Sequence, residues 1–300
     1  MSDAGKSGEH DPSAPLSPAF VSTAAQLACL IEATAPKPGN VSPGRHFKDM
    51  RYEHLLVSAA AIGPVMAEAG ERPIGAIVLR AARATRRWTR ANTNLGITLL
   101  FAPLARAALA GSSGPLRDRL SVELRASTLR DARDVYAAIR LVSPGGLGRV
   151  SAQDVSGDPT ATLRDVMAMA ADRDAVANEY TTDYSRIFDE GVLALTRARS
   201  DGLGWVDATV ETYLRLLAAG ADTLIARKQG MPAALEVSRR AREVVVAGGV
   251  RSAEGRTALQ AFDQSLRDAD NANNPGATAD LTAAVLFVAF LTGGWDSGGR

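Results

Sequence analysis

One spacing runs through this chain from about residue 19 to residue 292: apolar side chains, mostly Ala and Leu, recur at intervals of three and four. That period lines up one face of a helix, whereas a half-buried strand needs alternation at two. No β-branched alternating run of useful length occurs, so a doubly wound sheet is excluded and the expected fold is all-α. The spacing predicts helices over 19–34, 51–69, 74–91, 95–110, 116–126, 129–141, 160–171, 174–199, 205–218, 232–247, 253–268 and 277–292. Thr128 and Asp158-Pro159 read as helix starts, because a short polar side chain caps free N–H groups and proline tolerates the first turn. Gly70, Gly111 and Gly202 fall where stops belong. There is no fixed repeat, which argues against a solenoid. The break from Ser143 to Pro159 is too short and too varied to read as a domain linker. The expected organisation is a flexible polar tail at 1–18, without the apolar core of a signal peptide, followed by a single multi-helix globular domain at 19–300.

Composition narrows the function classes. With 34 basic and 33 acidic residues the formal charge is +1, so no overall field draws in nucleic acid or an anionic membrane, and neither partner is expected. Anion binding then has to be local. The apolar run from Leu281 to Leu291 falls short of the roughly 20 residues that span a bilayer. Cys29, the single cysteine, excludes an intrachain disulfide and a cysteine-rich zinc site. It lies in an apolar helical pattern and reads as a buried structural thiol rather than a nucleophile. A cytoplasmic protein is expected, with a homo-oligomer left open.

Five polar or irregular islands interrupt the helices. The first, Pro36 to Met50, holds three prolines and two glycines, which forbid regular structure. It also holds Lys37, Asn40, Arg45, His46, Lys48 and Asp49. The others are Asn92-Thr93-Asn94-Leu95-Gly96, the Pro144–Asp154 loop, Asp222 to Lys228, and Asn271 to Asp280. In a helical protein a pocket forms where side chains converge at helix ends, so these islands are candidate walls of a nucleotide pocket formed by inter-helix loops.

Their residue types suit a polyphosphate and its metal. Lys37 and Arg45 read either as phosphate ligands, one a point charge and the other a planar fork, or as solvated loop charges. His46 reads as a phosphate donor, a proton acceptor or a structural histidine; His54 reads as packed on a helix face. Asp49, Asp154, Asp222 and Asp280 are the island carboxylates, and Mg2+ on a nucleotide needs only one or two of them. Caps and ion pairs are the alternative roles; for Asp49 the alternative is the N-cap of the helix near Tyr52. Pro144-Gly145-Gly146-Leu147-Gly148 could cradle phosphate but lacks the ending of a P-loop. Arg227-Lys228 suits either phosphate or a helix C-terminus. Asn274-Pro275-Gly276 precedes an apolar helix whose free N–H groups suit an anion or an ordinary cap.

Pro36-Lys37-Pro38-Gly39-Asn40-Val41, with His46, Asp49 and Met50 behind it, resembles the signature of the triphosphoribosyl-dephospho-CoA synthase family. That signature usually reads Pro-Lys-Pro-Gly-Leu-Val-Asp and then Gly-X-His-X-Asp-Met. The 92–96 island resembles the family's Asn-Thr-His-Lys-Gly, and residues 274–281 resemble its C-terminal Ala-Asp-Leu motif. In order, the match covers about residues 20–293. The resemblance implies an all-α fold and a pentosyl transfer. ATP would give its 5-triphosphoribosyl group to the ribose 2′-hydroxyl of 3′-dephospho-CoA, and adenine would leave. It implies that Lys37, Arg45, Arg227 and Lys228 hold triphosphate, with Asn40, Asn92, Asn94 and Asn274 as further substrate contacts. Mg2+ would sit on Asp49 or Asp280, with Asp154 and Asp222 as further candidates, and Asp49 or His46 would act in catalysis. The chain departs from the pattern at Asn40, Ser42 and Asn94-Leu95, and it lacks the family's mid-chain His-Gly-Glu. Its own set resembles a divergent branch associated with tetrahydromethanopterin and methanofuran metabolism. A one-carbon coenzyme precursor as acceptor, or a non-catalytic nucleotide-binding protein, are therefore the alternatives.

Overall fold

A computed structural model describes residues 16–111, 113–143, 153–268, 270–293 and 295. Among the described residues no strand forms; the only ladder-like contact is an isolated bridge between Ser42 and Arg45. Most of the tail expected at 1–18 and the whole of Pro144–Gly148 lie outside the described residues.

Two helices form the centre because they are apolar over most of their surface, with one ionisable residue each, Arg106 and Asp280. They are α4 (Leu95–Leu109) and α14 (Gly276–Gly293), and the rings of Phe101 and Phe287 stack between them at 4.3 Å. By length and composition α14 could cross a membrane, but 72% of it is buried inside the protein. Around this pair lie α1 (Pro18–Thr34), α2 (Tyr52–Ala67), α3 (Ile74–Arg86), α5 (Leu116–Arg125) and α6 (Leu129–Val142). In α3, Ile74, Ile77, Val78, Ala81 and Ala82 turn inward while the arginines lie opposite, as the 3.6-residue period requires. Thr128 caps α6 as expected: its side chain accepts from the Asp131 N–H at 3.2 Å, and Asp131 accepts from the Thr128 N–H at 2.8 Å.

The expected helix at 174–199 is three pieces: α8 (Ala175–Thr181), a π-helical turn (Arg186–Gly191) and α9 (Val192–Ser200). Tertiary contacts override the local pattern. The buried hydroxyls of Tyr180 and Tyr184 donate to the α4 carbonyls of Leu99 and Leu100 at 2.7 and 3.2 Å. Asp183 and Tyr184 take left-handed backbone angles (φ 49° and 61°) to allow it. At Gly191 a Cβ would lie 2.2 Å from Val285, so α14 packs directly on the backbone there. The short α7 (Leu163–Ala168) is capped by Thr162, after the expected Asp158-Pro159 signal.

A second apolar cluster joins α10 (Trp205–Ala219), α12 (Met231–Val246) and α13 (Ala253–Leu266) through Tyr213, Leu217, Val237, Ala241 and Phe262. The helix α11 (Thr223–Gln229) connects α10 to α12. Ala35, at the end of α1, belongs to this cluster as well. The Pro36–Met50 loop therefore leaves from the contact between the two apolar groups.

Candidate active site

The Pro36–Met50 loop closes short turns on itself, with Asn40 N–H donating to the Lys37 carbonyl at 3.1 Å and Phe47 N–H to that of Met50 at 2.8 Å, and other elements anchor those turns. Asp263 on α13 accepts from the Gly39 N–H at 2.8 Å, from Arg45 at 2.6 Å and from Arg267 at 2.8 and 3.0 Å. The Tyr213 hydroxyl donates to the Pro38 carbonyl at 2.8 Å, and Asn40 Nδ2 donates to that hydroxyl at 3.0 Å. Gly39 has φ +74°, and a Cβ there would lie 2.9 Å from the Pro275 ring. Glycine is required both by the turn and by the close approach of the Asn274-Pro275-Gly276 island.

Beside these loops lies a cavity of about 610 Å3, within the roughly 300–1,000 Å3 typical of small-molecule sites. Each island supplies part of its wall: Asn40, Lys48 and Asp49; Asn92 to Gly96; Asp154; Arg227 and Lys228; Asn274 and Asp280. Segments more than two hundred residues apart in sequence meet here, as the sequence predicted.

Two islands touch directly. Gly96 occupies the first turn of α4, and a Cβ on it would lie 2.0 Å from Asp280 Oδ2. Only glycine leaves room for that carboxylate against the helix N-terminus, where free N–H groups favour negative charge. Asp280 is half-buried and opens on the cavity. Burial first, and the nearby Glu32 carboxylate second, push its carboxyl well above the usual range. Glu32 also faces the cavity, although it is only 7% exposed. It pairs with Lys37 at 2.9 Å.

The cationic side is organised by a residue outside the islands. Asp174 caps α8 by accepting from Val176 and Ala177 at 2.9 and 3.1 Å, and its second oxygen pairs with Arg227. That pair fixes the Arg227 guanidinium on the wall of the cavity. Lys228 donates to the Asn271 carbonyl at 3.1 Å. Arg227 Nε and Asn274 Oδ1 are buried and lack a hydrogen-bond partner among the described residues.

Four expected site residues lie elsewhere. Lys37 is 0% exposed and outside the lining; it serves Glu32 and the backbone carbonyls of Glu32 and Ala35, not a phosphate. Arg45 is committed to Asp263. His46 is exposed outside the lining and accepts from the Tyr52 N–H at 3.4 Å, at the start of α2. Asp222 has no room for a metal. It accepts from Leu224 and Ile225 at 2.9 and 3.1 Å, and from the backbone and hydroxyl of Thr278 at 2.7 and 2.8 Å. It is a buckle between the N-termini of α11 and α14.

The remaining expected residues are on the wall. Asp49 is exposed, and its alternative role disappears because the N-cap of α2 is Arg51. Asp154 accepts from the Ser156 N–H and hydroxyl at 2.9 and 2.6 Å. Asn40, Asn92, Asn94 and Asn274 all line the cavity. Cys29 is buried, and burial raises its thiol well above its ordinary range, which suits the structural reading. His54 is half-buried and caps α2 by accepting from the Arg51 N–H at 3.2 Å. No group of three His, Cys, Asp or Glu residues placed to hold a metal occurs among the described residues.

Three positions were missed by the reading of motifs: Glu32, Asp174 and Asp263. Glu32 and Asp263 did carry a signal, because each puts a carboxylate on the apolar stripe of its helix, beside Cys29 and Ala33 or Phe262 and Leu266. A charge there must find a partner.

A family model described as ATP:dephospho-CoA triphosphoribosyl transferase matches residues 18–298. The chain belongs to this family. A Pseudomonas syringae pv. tomato member named "Probable 2-(5''-triphosphoribosyl)-3'-dephosphocoenzyme-A synthase" is 38% identical over 94 residues, 31% of this chain and 32% of that protein. One of the same name from Pseudomonas aeruginosa is 32% identical over 155 residues, 49% of this chain and 51% of its own. These alignments span about a third to a half of the relatives' length. A crystal structure from Archaeoglobus fulgidus, assigned as a triphosphoribosyl-dephospho-CoA synthase, superposes with a TM-score of 0.62 at 28% identity. That match covers 80% of this chain and 100% of the other. The helical fold is thus the family's fold.

Proposed function

We propose that the protein moves the 5-triphosphoribosyl group of ATP to the ribose 2′-hydroxyl of 3′-dephospho-CoA and releases adenine. The observation that supports this best is the meeting of the family's three motif segments on one cavity, with carboxylates and fixed cations in the same wall. In the reaction the bond from the ribose anomeric carbon to adenine breaks, and one from that carbon to the acceptor oxygen forms. The hydroxyl proton passes to a base, and adenine leaves with a proton taken up from an acid or water.

Positive charge develops on the sugar as the bond to adenine lengthens, and carboxylates already in place stabilise it without reorganisation. Asp280 and Glu32 are placed for that role: burial favours the proton on Asp280 in the free site, and positive charge arriving beside it would favour the carboxylate. Asp49 is assigned as the base, because it is exposed on the loop and faces the cavity. Arg227, held by Asp174, and Lys228 bind phosphate oxygens; Asn274 and Asn92 add hydrogen bonds. Magnesium would fit this set of oxygen donors, since a cation beside Asp280 would offset the burial and the Glu32 repulsion that Arg227 only partly relieves. Asp49 or Asp280 would hold it together with the phosphates, whose charge it would offset, since magnesium on a nucleotide needs only one or two carboxylates.

The test is to incubate purified protein with ATP, magnesium and dephospho-CoA and to measure free adenine and the mass of the acceptor. Equal amounts of adenine and triphosphoribosylated acceptor are expected. Folded, ATP-binding protein that releases no adenine would refute the reading.

A further inference from the structure

The cavity has two chemically different sides, and only one has a role so far. The charged side is built from the loops after α1 and before α4, the end of α11 and the start of α14. The other side lies where α6 packs on α7. Val135, Tyr136 and Ile139 come from one face of α6, and Val166, Met167 and Ala170 from α7 and the turn after it. Among these six side chains the Tyr136 hydroxyl is the one ionisable group; Arg173, which donates to the Met169 carbonyl at 2.8 Å, and Asp154 line the cavity at the edge of the wall. That hydroxyl donates to the Gln153 carbonyl, and burial, with Asp154 adding to it, raises it above its ordinary range.

The same α6 face steadies the far edge of the wall. Arg140 donates to the carbonyls of Val155 and Gly157 at 2.8 and 3.0 Å. The 153–157 segment is thereby tied down beside the apolar surface, with Val155 in the lining. A wall of branched aliphatic and thioether side chains has little use for a triphosphate or a ribose, whose oxygens would lose water without gaining partners. It also suits a flat base poorly, since its one ring, Tyr136, is 4% exposed. An aliphatic chain with a branched carbon gains from such a surface, and Met167 adapts its shape to it.

We infer that the aliphatic wall between α6 and α7 receives the pantetheine arm of the acceptor. This rests on the proposed dephospho-CoA reading and assigns that substrate's ends: the ribose hydroxyl at the carboxylates, the dimethyl-bearing arm along Ile139, Val166 and Ala170. The wall then discriminates acceptors by their tails, while donor recognition depends on the charged side.

Free 4′-phosphopantetheine tests the assignment, because it carries the arm without a nucleoside. It is expected to bind by calorimetry and to inhibit in competition with dephospho-CoA but not with ATP. Ala170→Phe fills the wall and Ile139→Asn makes it polar; both positions are only partly buried, so folding is retained. Each variant is expected to raise the KM for dephospho-CoA and the fragment's Kd at least tenfold, with the KM for ATP within twofold of wild type. Competition with ATP, an ATP KM that rises instead, or wild-type acceptor KM and fragment Kd in both folded variants would overturn the inference. The two readings fail separately. A wild type that releases no adenine refutes the transfer, while the calorimetric loss of fragment binding in Ala170→Phe still reports on the wall.

Discussion

Replacing Asp222 separates the metal-ligand role that its island suggested from the buckle role that the structure assigns. Four donors converge on this carboxylate: the N–H groups of Leu224 and Ile225, and the N–H and hydroxyl of Thr278. Asp222→Ala removes the caps of two helices, each worth about 1 kcal/mol, and leaves buried backbone donors unpaired at about 1–3 kcal/mol apiece. Part of this is offset, because burial raises the Asp222 carboxyl above its ordinary range despite these bonds. The charged form is costly in the folded state. A net loss of about 3–4 kcal/mol is expected from these terms. Asp222→Asn offers one accepting oxygen where two served, so about half of that loss is expected. Urea denaturation monitored by circular dichroism measures both as a fall in midpoint at constant slope. A loss below about 1 kcal/mol for Asp222→Ala would refute the buckle. Unchanged stability with loss of magnesium dependence would restore the metal ligand.

Three further outcomes are expected. Asp49→Asn should leave the melting temperature unchanged, because Arg51 holds the N-cap position, while adenine release falls at least a hundredfold, within the range for loss of a general base; a wild-type rate would remove Asp49 from catalysis. Gly96→Ala should displace the Asp280 carboxylate from its 2.0 Å collision and slow adenine release more than tenfold, at a stability within about 1 kcal/mol of wild type because alanine favours helix; an unimpaired rate would contradict the role given to Asp280. Burial is the main cause that raises the Glu179 carboxyl from 4.5 to about 7, so the folded protein holds that proton more tightly than the unfolded chain. Its stabilising contribution is complete below pH 4.5 and is lost as the pH rises to about 7; the interval of 7 − 4.5 = 2.5 corresponds to about 3 kcal/mol. Denaturation at pH 5 and pH 8 should show a smaller difference in Glu179→Gln than in wild type, and equal differences would refute this.

Periodicity alone determined that the chain is helical, and proline and glycine determined where it cannot be. Both are local properties: a three-to-four spacing works through neighbouring turns, and a missing N–H acts within one residue. The islands were therefore legible, and so was their common destination, since polar segments between apolar helices have only loop ends to occupy. What each charge does was decided by tertiary structure. Lys37 and Asp49 belong to one loop, yet Lys37 turns into the protein to meet Glu32 while Asp49 faces the cavity. Arg45 meets Asp263, and Asp222 meets Thr278, across separations of 218 and 56 residues. The segment 174–199 has helical spacing throughout, but two buried tyrosine hydroxyls reaching α4 carbonyls break it. A sequence states which groups carry charge or need a hydrogen bond. Whether the partner is a substrate or a distant carboxylate depends on which helices pack together, because only packing sets the distances over which charges interact.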